Sequence, residues 1–339
     1  MKNIGGNSVV IREININLVR KAIRNKKQAT KQQIAEETGL SIMTVATVLR
    51  QLLKQDEIFE AGLTPSNGGR PSQSYRYNDA YELVIVLFPY ERDGHIYIHN
   101  AVVNLYGQNI SHADTEVESI QLKSFEKIID PLLSSHPAVK AIGIGNPGVE
   151  LNGRIVSSDY KDLIGAGLVE YYEERYKLPV MVENDVNAAV MGFVRRNARV
   201  PDTTVTYLYF PDKHPPGAGT SINGKLLKGN RNFAGEIYWI PLNVQWNEEL
   251  YRSFDRLCQS IAKIIISVCS IINTDIFVVN GSFIRQEHIS EISGLCKKHL
   301  PQFILPEILL SGSFIEDYRS GLIEQTLTKL EPDIVLARN

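Results

Sequence analysis

Hydrophobic positions between residues 30 and 52 follow a helical period. Val45, Val48, Leu49 and Leu52 fall at i, i+3, i+4 and i+7, the spacing of one buried helical face. Ahead of them, Ile34 and Ala35 mark a shorter helix, opened by Thr30 with Gln33 three residues on, a capping-box pattern. Between the two runs, Gly39 suits the left-handed residue that ends one helix, and Ser41 suits the cap that starts the next. This arrangement predicts a helix-turn-helix, with an ordinary helical hairpin as the plainer alternative. Residues 58–62 and 74–77 are short strand-like runs around a turn at Asn67-Gly68-Gly69, predicting a β-hairpin wing after the second helix.

Beyond Asp79 the pattern alternates between periods of two and of 3.6. Strands are expected at 82–88, 95–104 and 109–115, with Gly107 in a turn, then a helix at 125–133 and a strand at 139–145. A strand at 179–182 leads into a helix at 184–195. Strands at 205–210 and 219–222, a long helix at 253–272 and a strand at 275–279 follow. This order predicts two α/β lobes rather than one doubly wound sheet, and 339 residues suit two or three domains.

Charge sharpens the picture. Residues 1–78 hold 12 Lys/Arg against 6 Asp/Glu, and the remainder 24 against 32, so a whole-chain charge of −2 hides a basic head on an acidic body. A basic head favours phosphate backbones, and an acidic body limits indiscriminate binding. Arg20, Lys21, Arg24, Lys26, Lys27 and Lys31 cluster beside the first two helices, so they are expected to serve DNA rather than form a merely solvated face. Gly69-Arg70-Pro71 matches an extended element that enters a narrow A·T-rich minor groove, with a plain interdomain turn as its alternative. Candidate DNA contacts are Lys31, Ser41, Met43, Thr44, Thr47, Arg50 and Arg70. The first turn of the second helix has no Arg or Lys to pair with guanine, and its methyl groups suit thymine. The expected partner is therefore a double-stranded, A·T-rich operator.

Composition excludes other classes. With 43% hydrophobic and 22% charged residues the chain reads as ordinary soluble protein. Its most apolar run, 261–272, contains Lys263 and is too short to span a bilayer. No export segment is apparent, so a cytoplasmic location without membrane contact is expected. Cys258, Cys269 and Cys296 are odd in number and far apart, which suggests buried thiols rather than a disulfide framework or metal knuckle.

Four pieces then stand in order: GIGNPGVELNGRIV (143–156), LPVMVENDVNAAVMG (178–192), GAGTSINGKLLKGNRNFAGEI (217–237) and DIFVVNGSF (275–283). Together with the N-terminal head, nearly the whole chain resembles the ROK family of repressors, open reading frames and kinases. The resemblance implies an α/β fold: a winged helix-turn-helix followed by a two-lobed, actin-like (ribonuclease H-like) body. Expected domains are 1–78 for DNA binding, 79–192 for the first lobe with 317–339 returning to it, and 193–316 for the second lobe, ligand sensing and dimerisation.

The family's catalytic base falls on Asp185, and Asn184 and Glu236 match positions that hydrogen-bond a sugar, beside Gly148 in the backbone of 145–148. Short amide and carboxylate groups suit arrays of hydroxyls. Asn184 and Asp185 equally suit the cap of the helix that starts there. Trp239 stands where the family has a His, and suits either stacking on a sugar or filling the space of a missing loop.

Two departures bear on function. The family's kinases carry an Asp-x-Gly-Gly-Thr phosphate turn, and this chain has residues 87–94 there, without paired glycines and with Pro89 in place of a donor. The family's cysteine-rich zinc loop is missing after Glu236-Ile237, leaving no thiolate cluster for a tetrahedral site. The resemblance therefore implies a repressor of carbohydrate genes without catalytic residues, metal or cofactor. It would act as a homodimer, with a tetramer as an option, and respond to a sugar-like effector in the interlobe cleft. A sugar kinase with a DNA-binding extension, or a repressor governed by a protein partner, are the alternatives.

Overall fold

The first helix of the computed structural model, α1 (Ser8–Lys26), lays Ile16, Val19, Ala22 and Ile23 along one face and buries them. A short strand β1 (Gln28–Thr30) leads to α2 (Lys31–Thr38), where Thr30 accepts from the Gln33 N–H and the Gln33 side chain accepts from the Thr30 N–H. Gly39 ends α2 in the left-handed conformation (φ 71°), a geometry glycine adopts without steric cost. Ser41 then caps α3 (Ile42–Lys54), whose Val45, Val48, Leu49 and Leu52 are all buried. Strands β2 (Ile58–Thr64) and β3 (Ser72–Tyr77) pair antiparallel, and β1 joins the other edge of β3 to make a three-stranded sheet. These elements form the winged helix-turn-helix.

The structure describes residues 8–64, 71–197, 200 and 202–330. Its described residues form two units: 8–64, 71–83, 104–106 and 329–330 in one, and the remainder in the other.

In the larger unit, β4 (Leu83–Arg92), β5 (His95–Val103) and β6 (Asn109–Val117) form an antiparallel meander. Helix α4 (Glu126–Ser135) leads to β7 (Val139–Asn146). A hairpin of β8 (Gly148–Leu151) and β9 (Arg154–Ser158) follows, then α5 (Leu168–Tyr176), β10 (Val180–Asn184) and α6 (Asp185–Arg196). The first sheet has the order β10-β7-β4-β5-β6.

The second lobe begins with β11 (Thr204–Tyr209), β12 (Gly217–Ile222) and β13 (Lys225–Leu226). It continues through α7 (Glu248–Arg252), α8 (Phe254–Ile272), β14 (Ile276–Asn280), α9 (Gln286–His299) and β15 (Glu307–Leu310). Its sheet has the order β13-β12-β11-β14-β15. Helix α8 supplies Leu257, Ile261, Ile264 and Ile265 to the core beneath this sheet, and the three cysteines are buried there as free thiols.

The last long helix, α10 (Phe314–Leu327), packs against α6 and β7. The approach to α6 is so close that a Cβ on Gly192 would lie 1.9 Å from the Asp317 carbonyl oxygen, and one on Gly321 1.8 Å from that of Ala188. Two glycines facing each other are thus what allow the helices to touch backbone to backbone.

Candidate functional site

The cleft is built where two parallel strands end together. In β7 and β10, Asn146 is in register with Asn184 and Gly145 with Glu183, so their last side chains emerge side by side. Asn184 then caps α6. Its Oδ1 accepts the Asn187 N–H at 2.9 Å while its Nδ2 donates to the Gly148 carbonyl at 3.1 Å. The capping role anticipated as an alternative is therefore real, and it also ties the strand end to the β8–β9 hairpin. Gly148 needs its freedom, because φ is +145° and a Cβ would sit 2.1 Å from the Ser157 carbonyl oxygen.

The second lobe closes on this edge through equally tight backbone. A Cβ on Gly219 would fall 2.6 Å from the Val186 carbonyl oxygen, so β12 lies directly against the start of α6. Gly235 (φ +98°) accepts from the Ala218 N–H at 2.8 Å, which brings Glu236 to the cavity. Asn184, Asp185, Glu236 and Gly148 all line one cavity of about 140 Å³.

Trp239 does not join them. It is 68% exposed, edge-on to Tyr238, and absent from the cavity wall, so it neither stacks towards the ligand space nor fills a void. The short 3₁₀ turn Ile237–Trp239 buries Ile237 instead and turns the two aromatics outward.

The cavity's electrostatics are those of crowded carboxylates. Burial, then repulsion from Asp159, with a further contribution from Glu236, pushes Asp185 up to about 7, although backbone N–H groups of Val186 and Asp185 itself oppose this. Glu236 is likewise raised by burial and by Asp159. A carboxyl near 7 accepts or donates a proton to a hydroxyl at neutral pH.

Four lining or flanking groups carried no signal in the sequence pattern. Lys228 donates to the buried Glu183 at 2.7 Å, and Asn232 donates to the Glu150 carbonyl at 2.8 Å, so one segment of the second lobe grips the rim of the first. His214 stands 3.2 Å from Asp159 and 3.5 Å from Glu91, and Lys213 lies 3.0 Å from Glu91. The hydrogen bond to Asp159 raises the His214 pKa, while Lys213 and His214 overcome burial to lower that of Glu91.

At residues 87–94, β4 runs unbroken to Arg92, paired with His95, and turns through Asp93 and Gly94 (φ 53° and 82°). A two-residue hairpin turn of this kind follows the twist of its own strands, and it holds one glycine rather than a pair.

The DNA-contact candidates lie on the smaller unit. Met43 (82% exposed) and Ile42 (58%) stand out from the first turn of α3. The Ser41 and Thr44 hydroxyls share a hydrogen bond, Thr47 bonds back to the Met43 carbonyl, and Arg50 folds onto the Ala46 carbonyl and Thr47. Lys31 is half-buried at the start of α2. Arg70, with Gly69, lies outside the described residues.

The basic cluster needs correction. Arg20 holds the buried Glu57 with both nitrogens of its fork, one at 2.7 Å, while Tyr77 donates to the same carboxylate at 2.6 Å. Lys26 pairs with Glu37, and Arg24 lies over the Tyr77 ring. Lys27 lies over the Tyr106 ring, so four of the six basic residues have partners within this unit.

Residues 94–248 match the family model described as ROK family. A xylose repressor from Caldicellulosiruptor bescii is 26% identical over 253 residues, covering 71% of this chain and 61% of that protein. The chain therefore spans about three fifths of the length of the curated relatives it matches. A solved ROK family transcriptional regulator, described as a homologue of the Escherichia coli MLC protein, aligns over 94% of this chain and 97% of its own, with TM-score 0.73 and 16% identity. A ROK hexokinase from Thermus thermophilus shares the fold over 74% of this chain and 99% of its own, with TM-score 0.59 and 16% identity. With the capped head, the two lobes and the cleft between them, the chain is similar to the ROK family, whose model it matches over residues 94–248.

Proposed function

We propose that this protein is a sequence-specific DNA-binding transcriptional regulator, a repressor of carbohydrate genes, whose body senses a sugar-like effector without phosphorylating it. The observation that carries the reading is the α2–α3 pair. Both caps are formed, the apolar stripe is fully buried, and the opposite face of α3 presents Met43, Thr44, Thr47 and Arg50 beside a β wing. That is the geometry of a helix delivered to a major groove. The name of the Caldicellulosiruptor bescii relative, a xylose repressor, supports it.

In the body, Asn184, Asp185 and Glu236 around one cavity fit an array of sugar hydroxyls. The hairpin at residues 83–103 occupies the place of the phosphate turn and weighs against ATP chemistry. A homodimer would present two heads to two half-sites, and an effector preferring one lobe arrangement would shift the population towards it.

Selection of binding sites from random DNA tests the reading. An A·T-rich consensus is expected, and Arg50→Ala should weaken binding by about 1–3 kcal/mol. A G·C-rich consensus, or unchanged affinity, removes α3 from the role given to it. The kinase reading draws on Asp185 near pH 7. Transfer of labelled phosphate from ATP to any sugar of a panel would establish it, and none is expected.

A further inference from the structure

The cavity holding Asn184 and Glu236 is small, about 140 Å³, but it does not end there. A second chamber of about 390 Å³ adjoins it, and the two share Pro147, Asp159, Asp185, Tyr209 and Pro211 in their walls. Asp185 therefore stands at a junction. The first space is below the ~300–1,000 Å³ usual for small-molecule sites, whereas the joined space falls within it.

The second chamber has the wrong charge for a phosphate. Glu91, Asp93, Asp159, Asp185 and Asp212 face it against Arg92, Lys213 and His214. The three cations are already engaged. Lys213 lies on Glu91, His214 sits between Glu91 and Asp159, and Arg92 lies 4.5 Å from the Tyr97 ring centre.

Its other surfaces are aromatic: Tyr90, Tyr160, Tyr209, Phe314 and Tyr318, with Tyr209 and Phe314 stacked at 3.6 Å. Rings that pair an apolar face with a polar edge suit the C–H face and hydroxyl rim of a sugar.

We propose that the effector is an uncharged disaccharide or larger glycoside, with one ring between Asn184 and Glu236 and the next in the aromatic chamber, joined across Asp185. This rests on the sugar-sensing reading above. The second chamber here serves a second sugar unit.

Calorimetric titration of the full chain tests it, using xylose, glucose, glucose 6-phosphate, xylobiose, cellobiose, maltose and sucrose. At least one disaccharide is expected to bind ten times more tightly than its constituent monosaccharides and than the phosphate. Tyr160→Ala removes one aromatic wall of the second chamber and should weaken that disaccharide roughly tenfold, the scale of one ring contact, while leaving monosaccharide binding unchanged. Tyr90→Ala, at the half-buried rim of the chamber, should do the same independently of any effect of the first variant on folding. A monosaccharide or its phosphate binding as tightly as every disaccharide overturns the two-ring proposal and leaves sugar sensing intact. So does a disaccharide indifferent to both variants. No binding by any of these sugars overturns both.

Discussion

Replacing Asp185 with Asn isolates the electrostatics of the cleft from its shape. A carboxyl whose pKa is raised on folding costs stability only when ionised. The cost is absent below about pH 4, grows as pH rises, and is complete above the folded value. Here that window runs from the ordinary 3.8 to about 7, set first by burial, then by Asp159 and, to a lesser degree, Glu236. At about 1.4 kcal/mol per pH unit, the ceiling is about 4 kcal/mol. The N-terminus of α6 returns roughly 0.3–1 kcal/mol to the ionised form, and relaxation of the cleft lowers the cost further. Asp185→Asn should therefore stabilise the body by about 1–3 kcal/mol at pH 8 and by about a quarter of that at pH 4.5. For a unit of this size, ~2–4 °C per kcal/mol converts this to a Tm rise of about 2–12 °C at pH 8. Scanning calorimetry of both proteins at the two pH values reads the difference. A variant that melts lower at pH 8, or one whose Tm gain is the same at both values, would refute the account. Either result would make the carboxylate a structural necessity rather than a strained group kept for a ligand.

Two further outcomes follow from packing. Glu57→Gln should destabilise the winged helix by about 2–3 kcal/mol, less than the roughly 3–5 of a fully buried pair because Arg20 keeps 35% of its side chain exposed; urea denaturation of the variant measures it, and unchanged stability would show that Tyr77 and Arg20 do not depend on that carboxylate. Gly192→Ala should cost about 3 kcal/mol by driving α6 and α10 apart, since the added methyl meets backbone rather than a movable side chain; a variant as stable as the parent would mean that the two helices separate freely.

How much of this was legible before the fold depended on the range of the interaction involved. Caps, turns and apolar stripes are local. Thr30, Gln33, Gly39 and Ser41 announce α2 and α3 because each acts on a backbone group within four residues of itself. The strands of both lobes were marked by their period, and their observed ends differ from expectation by a few residues, as in β4, which runs on to Arg92.

What escaped the sequence is what distant segments do to each other. The hairpin β8–β9 and the helices α5, α9 and α10 had no strong apolar period to set them apart. The basic run 20–27 looks like a single phosphate-binding face. Only the fold sets Glu57 and Glu37 beside Arg20 and Lys26, because those partners come from another part of the chain. Trp239 had the right position in a motif and the wrong direction in space, turned outward by a 3₁₀ turn.

The clearest case is the cleft. Asn184, Asp185 and Glu236 were readable as residue types in a recognisable order, since their chemistry is intrinsic to them. The crowding that moves Asp185 to about 7, the Lys228–Glu183 bridge and the chamber beyond Asp185 exist only because two lobes bring together strand ends separated by tens of residues. Charge repulsion, burial and cavity shape depend on distance in space, and a sequence records only distance along the chain.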